Sequence, residues 1–266
     1  MFLIRSLLFN SLFVIITIIE MLFFAPVYFF LPRRYVWIVA KFWARTVLFL
    51  LKYIALLRVE VEGLENIAKI KAMSQSYIIA PKHQSALETF AILPYLDDPS
   101  YVLKRELMFI PFFGWYMAKT GIIAINRGSP LKALKQMVIY ARQQVKQKRQ
   151  ILIFAEGTRR LPGDKPVYKS GIATLYSELN IPVLPIAHNA GLYWPKGSFY
   201  RYKGVLKIKI LPPIAPGLDK KTFLEDLKDA IETNCNSMLV ELSKQKDAPP
   251  FTGLSLQRLK NNKLRI

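Results

Sequence analysis

Residues 6–31 are almost continuously apolar, broken by Asn10, Ser11, Thr17 and Glu20 and kinked at Pro26. About 20 apolar residues are enough to cross a bilayer, so this chain must house a segment that water rejects. Glu20 lies near the middle of the run, where a charge costs about 2.5 to 3.5 kcal/mol at bilayer depth. A shallow hairpin or re-entrant anchor therefore competes with a full span. A cleaved signal peptide fits poorly, because only Arg5 charges the start and no small-residue cleavage site follows.

The next stretch, residues 35–57, is apolar again, but its cations are ordered. At roughly 100° per residue Arg34, Lys41, Arg45 and Lys52 fall within about 40° of one another. That makes a basic stripe along a greasy helix, with Trp37 and Trp43 as expected interfacial anchors. Arg33, Arg34 and the later cations place the rest of the chain on the cytoplasmic face by the positive-inside rule. The formal charge of +20 calls for a polyanionic partner. Nucleic acid and an anionic membrane surface both qualify, and the apolar N-terminus decides for the membrane. The single cysteine, Cys235, cannot form an intrachain disulfide and reads as a core residue.

From Arg58 onward short β-like runs alternate with helical ones. Residues 59–61, 77–80, 121–125, 151–154, 183–187 and 205–211 read as strands. Ser129-Pro130 opens an amphipathic helix to about Arg149, with Leu131, Leu134, Val138 and Val145 inward. Residues 171–179 form a short helix. A longer one runs from Asp219 to about Lys244, with Phe223, Leu227, Ile231, Met238 and Leu242 on one face. The expected fold class is α/β, a mixed or largely parallel sheet flanked by helices, behind an N-terminal membrane-anchoring helical segment. The expected divisions are an anchor and interfacial helix at 1–57, a catalytic domain at 58–245, and a loose basic C-terminal tail at 246–266.

Candidate functional groups follow the strands. His83 lies after the strand ending at Ala80, Arg127 after Ile125, Glu156 to Arg160 after Phe154, and His188 after Ala187. In open α/β sheets ligands bind beyond the carboxyl ends of the strands, so these groups converge wherever their strands run parallel. An imidazole titrates near neutrality and serves as a base if a second group fixes its tautomer. Glu88 suits that task. Ser85-Ala86-Leu87-Glu88 is also a capping box, in which the carboxylate folds back onto the Ser85 amide. The two jobs compete for one carboxylate. Glu156, Gly157, Thr158 and Arg159 form a turn offering amides, a hydroxyl and guanidinium to an oxyanion, with Arg127 and Lys104 as further cations. No common nucleotide-binding loop or serine-hydrolase elbow is present. Two widely spaced histidines and one cysteine do not make a zinc site, and no metal or cofactor is expected.

Four blocks, Lys82 to Glu88, Gly121 to Arg127, Phe154 to Arg159 and Ile181 to Pro185, resemble in order and interval those of the 1-acylglycerol-3-phosphate acyltransferase family over residues 60–215. The resemblance implies a glycerol-3-phosphate acyltransferase-like fold, with His83 as general base on the free glycerol hydroxyl and Glu88 orienting it. It also implies that Lys104, Arg127, Glu156, Gly157, Thr158 and Arg159 bind the lysophosphatidate phosphate, and that Pro185 lies toward the acyl donor. The implied partners are lysophosphatidate, and acyl-CoA or an acyl carrier protein as donor. Glu88 stands where the family has Asp, Ala155 where it has Pro, and Ala124 where it has Phe. The longer Glu88 needs a shifted helix or a tilted imidazole, and acylation of another lysolipid, such as a lyso-aminolipid, is the alternative within the class. A non-catalytic basic membrane-binding protein is the alternative outside it. His188 lies outside the family pattern and reads as structural.

Overall fold

The computed structural model describes residues 2–251 and 253–260. Two helices, α1 (Phe2–Tyr28) and α2 (Val36–Leu50), precede the sheet. The strands among the described residues are β1 (Leu57–Glu62), β2 (Ile78–Pro81), β3 (Pro99–Lys104), β4 (Ile123–Ile125), β5 (Gln150–Leu152), β6 (Val183–His188) and β7 (Gly204–Ile210). Between and after them come α3 (Glu65–Met73), α4 (Leu87–Ala91), α5 (Phe113–Thr120), α6 (Pro130–Lys146), α7 (Ser170–Leu179), α8 (Ala190–Tyr193), α9 (Lys220–Ser243) and α10 (Leu254–Lys260).

The strands form one sheet in the order β1-β7-β6-β2-β5-β3-β4. Its pairs are parallel except β6 with β7. The sheet is therefore mixed, and β2, β3, β4, β5 and β6 all point the same way. Period-2 alternation sorts the central strands between two cores. Ile78, Ala80, Ile151, Ile153, Val183 and Ala187 face one side, under α6, α7 and α9. Ile79, Leu152, Phe154, Leu184 and Ile186 face the other, under the helices from α1 to α4.

Four expectations change. β3 went unread, because it opens on Pro99 and its alternation is short. On α6 Val138 is buried as expected and Leu134 and Val145 pack half-buried against the core, but Ala133, Met137 and Ala141 complete the buried face and Leu131 in the first turn is 83% exposed. The described part of the C-terminal segment is not loose: Ala248, Phe251 and Leu259 pack against the core, and Ser255 of α10 is buried, while 261–266 lie outside the described residues. Trp37 is no interfacial anchor either. It is buried and donates to Asp98 Oδ1 at 3.0 Å, while Trp43 donates to Thr17 Oγ1 of α1 at 3.0 Å.

Asp98 explains a further change. Arg33, expected to act only as a membrane-sided charge, reaches both Asp98 oxygens at 2.9 Å. The fully buried Arg149 donates Nε to the same carboxylate at 3.1 Å and caps the carbonyls of Thr120 and Gly121 at 2.8 and 2.9 Å. Arg33 thereby fastens the α1–α2 turn to the sheet edge opposite the ligand-binding one.

The polar breaks in α1 have a shared purpose. Ser6, Asn10, Thr17 and Glu20 recur at helical spacing. Ser6 Oγ accepts from the Arg201 amide at 3.1 Å, and Asn10 donates to the Phe199 carbonyl at 2.8 Å. Thr17 meets Trp43 of α2. At the far end Tyr28 stacks on Tyr116 of α5 at 4.1 Å and donates to its carbonyl at 2.8 Å. The 27-residue helix, roughly 40 Å long, is thus tied to the rest of the fold near both ends, with its outer apolar face uncovered.

Candidate active site

His83 sits in the loop between β2 and α4, where the capping geometry puts it before the helix. Its Nδ1 lies 2.9 Å from Glu88 Oε1. Glu88 is fully buried, and its carboxylate also accepts the amides of Gln84 at 3.0 Å and Ser85 at 2.9 to 3.0 Å. The expected competition between relay and cap does not arise, since the side chain does both. Burial by itself raises the Glu88 carboxyl. Attraction from His188, the bond and charge of His83 and the Ser85 amide outweigh that and hold it below its ordinary value. Burial pushes the His188 imidazole below its ordinary value, and the Gln84 and Ser85 amides are bonds that the carboxylate keeps whichever form His188 takes. An ionised Glu88 takes the Nδ1 proton as a hydrogen bond, which leaves Nε2 as the lone-pair nitrogen. The ring stacks on Phe154 at 3.9 Å and 22°, and the side chain keeps 16% exposure.

The loop under His83 is braced on every side. Lys82 Nζ is buried between Glu156 Oε1 at 2.9 Å and Glu232 Oε1 at 2.6 Å. Tyr168 donates to Glu232 at 3.0 Å. Desolvation pushes the Lys82 ammonium down, but the two carboxylates more than reverse it. Glu156 moves up through its own burial, shared ammonium notwithstanding. On the other flank His188 Nδ1 accepts the Ala190 amide at 3.2 Å, so its proton is on Nε2 and is donated to the Lys82 carbonyl at 2.8 Å. Its structural reading holds. Gln84 Oε1 accepts the Gly191 amide at 3.1 Å, and Ser85 Oγ donates to the Trp194 carbonyl at 2.6 Å.

Glu156 corrects one sequence expectation. It is buried, bound to Lys82, and accepts the His83 amide on Oε2 at 3.1 Å. A carboxylate so placed holds the His83 peptide group and the Lys82 ammonium. The turn beyond it does face outward. Gly157 has φ +67°, a conformation a side chain would strain, and Arg127 donates to its carbonyl. Thr158 and Arg159 are exposed, and Arg159 meets no carboxylate among the described residues. Lys104 of β3 is paired in register with Ile125 of β4, two residues before Arg127. It is exposed and shares Glu106 at 3.5 Å. The base and the cations therefore stand along one sheet edge, the carboxyl ends of parallel strands, as the spacing required. Pro185 lies inside β6, opposite Ala80, one strand from the base but within the sheet.

Lys82, Tyr168 and Glu232 are the supporting residues that sequence reading missed. Lys82 had a signal, being a charge at the end of an otherwise apolar strand. Glu232 had none, because α9 carries several other acidic residues.

The chain is similar to known proteins. The sequence profile of the family described as Acyltransferase matches residues 58–189. The chain is 37% identical over 223 residues to a 1-acyl-sn-glycerol-3-phosphate acyltransferase of Pseudomonas aeruginosa, covering 83% of each. It is 30% identical over 178 residues to the protein of that name in Saccharomyces cerevisiae, 65% of this chain and 56% of that one. The crystal structure of the 1-acyl-sn-glycerophosphate acyltransferase PlsC from Thermotoga maritima superposes with a TM-score of 0.73, covering 90% of this chain and 99% of that one at 22% identity. At that identity the likeness speaks for the fold.

Proposed function

The chain belongs to the acyltransferase family, and on that premise we infer that it moves a fatty acyl group from a thioester to the sn-2 hydroxyl of 1-acylglycerol-3-phosphate, giving phosphatidate. The observation that carries the chemistry is the 2.9 Å contact between His83 Nδ1 and a buried, ionised Glu88. His83 Nε2 takes the hydroxyl proton as the oxygen attacks the thioester carbonyl. Glu88 stabilises the imidazolium so formed. Collapse of the tetrahedral intermediate breaks the carbon–sulfur bond, and the imidazolium returns its proton to the leaving sulfur. Ester and free thiol result, and His83 is neutral again. Arg127, Thr158 and Arg159, with Lys104, hold the phosphate. Acyl-CoA and an acyl carrier protein are both anionic donors that suit a chain of +20.

The membrane reading rests on α1. A helix tied near both ends to one folded domain does not thread through a bilayer that the domain cannot enter. It lies along the membrane plane with its outer face, including Ile15, Ile19, Leu22 and Phe23, in the apolar region. On α2 and the helical turn Leu51–Ala55 that follows it, exposed Ile38, Phe42 and Phe49 alternate with Arg45 and Lys52, which favours an anionic cytoplasmic leaflet. We thus take residues 1–57 as the anchor and the sheet with its helices as the catalytic unit, to which the C-terminal segment belongs.

The test is purified enzyme given a panel of lysolipids and both donors, with products identified by mass. Phosphatidate from lysophosphatidate is expected as the main product. Preferential acylation of a lyso-aminolipid, or no transfer to any lysolipid, overturns the assignment.

A further inference from the structure

Residues 109–115 take no part in the site described above. Phe109 is 71% exposed and Trp115 57%, and Ile110, Phe112 and Phe113 are exposed between them. Scattered apolar side chains on a surface need no explanation, but a contiguous patch marks a contact.

The patch is built rather than loose. The Gly114 amide donates to the Ile110 carbonyl at 2.8 Å, and a Cβ at Gly114 would lie 2.0 Å from the Met108 carbonyl oxygen. Phe112 has φ +61° and ψ −58°, and the Phe113 amide donates to the Pro111 carbonyl at 2.7 Å. That is a γ-turn of the rare positive-φ kind, strained for any residue with a side chain. Such strain persists where the surroundings enforce it, and it clusters at functional segments. Here it holds a bulky ring in water.

Two neighbours indicate what covers the patch. The first is α1, whose C-terminal end α5 clamps through the Tyr28–Tyr116 stack and through Lys119, which donates to the Phe29 carbonyl at 2.9 Å. The apolar outer face of α1 continues there in exposed Phe23, Val27 and Phe30. The second is the site: β3 leads from its ligand-binding end at Lys104 directly into the loop. Lys104, Arg105 and Lys119 flank the aromatics, the mixture found where protein meets the headgroup layer.

We propose that residues 109–115 are a second membrane-inserting element, separate from α1 and α2, that enters the lipid leaflet at the mouth of the site and sets Lys104 and Arg127 at headgroup depth. The proposal rests on the reading of α1 and α2 as lying on the membrane. Lipid is the occupant because the patch continues the lipid-facing side of α1, and a protein partner there would compete with the bilayer. The consequence is kinetic. A long-chain lysolipid reaches His83 without leaving the leaflet, while a short-chain one dispersed in water has no need of the loop.

The test uses the full chain and vesicles of zwitterionic and anionic phospholipid, some of it brominated on the acyl chains. Of the four tryptophans Trp37 and Trp194 are buried and Trp43 is half-buried, so Trp115 is the one on the patch. Bromolipid should quench the parent's emission, and Trp115→Phe should lose most of that quenching. Phe109→Ser with Phe112→Ser should remain on vesicles and keep its activity toward a monomeric short-chain lysolipid. Toward long-chain lysolipid in bilayers it should lose at least about tenfold, the factor that one Phe no longer buried already accounts for and two exceed. Equal quenching of parent and Trp115→Phe, or equal losses on both substrates, overturns the proposal. A parent that fails to bind vesicles at all overturns the reading of α1 and α2 instead, and quenching is read without any turnover.

Discussion

The Arg160 amide donates to the His83 carbonyl at 2.8 Å. Since the His83 amide is held by Glu156 at 3.1 Å, both peptide groups of the base are bonded to the turn that carries the cations. β2 and β5 are neighbours in the sheet, which brings the two loops side by side. The His83 loop and the turn at 156–160 are therefore one body, and on the function proposed above a group bound at Arg159 is positioned against His83 by backbone bonds.

Replacing His83 by Ala should lower acyl transfer by about a hundredfold or more, the typical contribution of a positioned general base, with vesicle binding unchanged. Glu88→Gln should lose activity as well, and it should also melt lower. The amide nitrogen would oppose the Ser85 N–H in a buried site, at a cost of about 1 to 3 kcal/mol. Glu88→Asp should retain part of the activity. Paired activity and melting measurements decide the matter, and full activity in Glu88→Gln would remove Glu88 from the mechanism.

Arg159 is exposed and meets no carboxylate among the described residues, so Arg159→Ala should leave the melt unaltered. It should reduce kcat/KM for lysophosphatidate roughly 10- to 100-fold, mostly through KM, the worth of one charge-assisted bond. Arg127→Ala should behave differently, because it also removes the bond to the Gly157 carbonyl. A phosphate-free lysolipid analogue should be indifferent to Arg159→Ala and sensitive to Arg127→Ala. Equal sensitivity of both lipids to Arg159→Ala would refute a phosphate role.

Burial keeps His188 below its ordinary value of 6.5. The unfolded chain therefore binds a proton that the folded one refuses, and the stability His188 contributes is complete above pH 6.5 and lost as pH falls toward the folded value. Glu156, shifted upward, works in the opposite sense, so the informative quantity is the difference between variants. His188→Gln keeps a donor for the Lys82 carbonyl but cannot titrate. Its melting temperature should fall less than the parent's between pH 7 and pH 5. Parallel curves would show that His188 does not titrate in that range.

Much of the sheet was legible because burial on alternate residues leaves a local trace. Ile78 to Ala80, Ile151 to Ile153 and Val183 to Ala187 show it, as does the face of α9 from Phe223 to Leu242. The candidate groups could be placed at one edge because each follows its strand, and the parallel pairing of β2 with β5 and β6, and of β3 with β4 and β5, met that condition. β3 was illegible, since a strand opening on proline with so few alternating positions carries little period.

By itself the sequence determined which segments are buried, which groups end strands, and that the first 31 residues avoid water, because hydrophobic periodicity and length are local properties. Only the tertiary structure decided that Glu156 turns inward to Lys82, that Glu232 joins it from α9, and that Ser6, Asn10 and Thr17 bind α1 along the domain. A charge or hydroxyl in sequence is compatible with water, ligand or a buried partner. The choice falls to whichever group the strand order and helix packing bring within hydrogen-bonding distance, and those partners lie from 26 to 195 residues away along the chain.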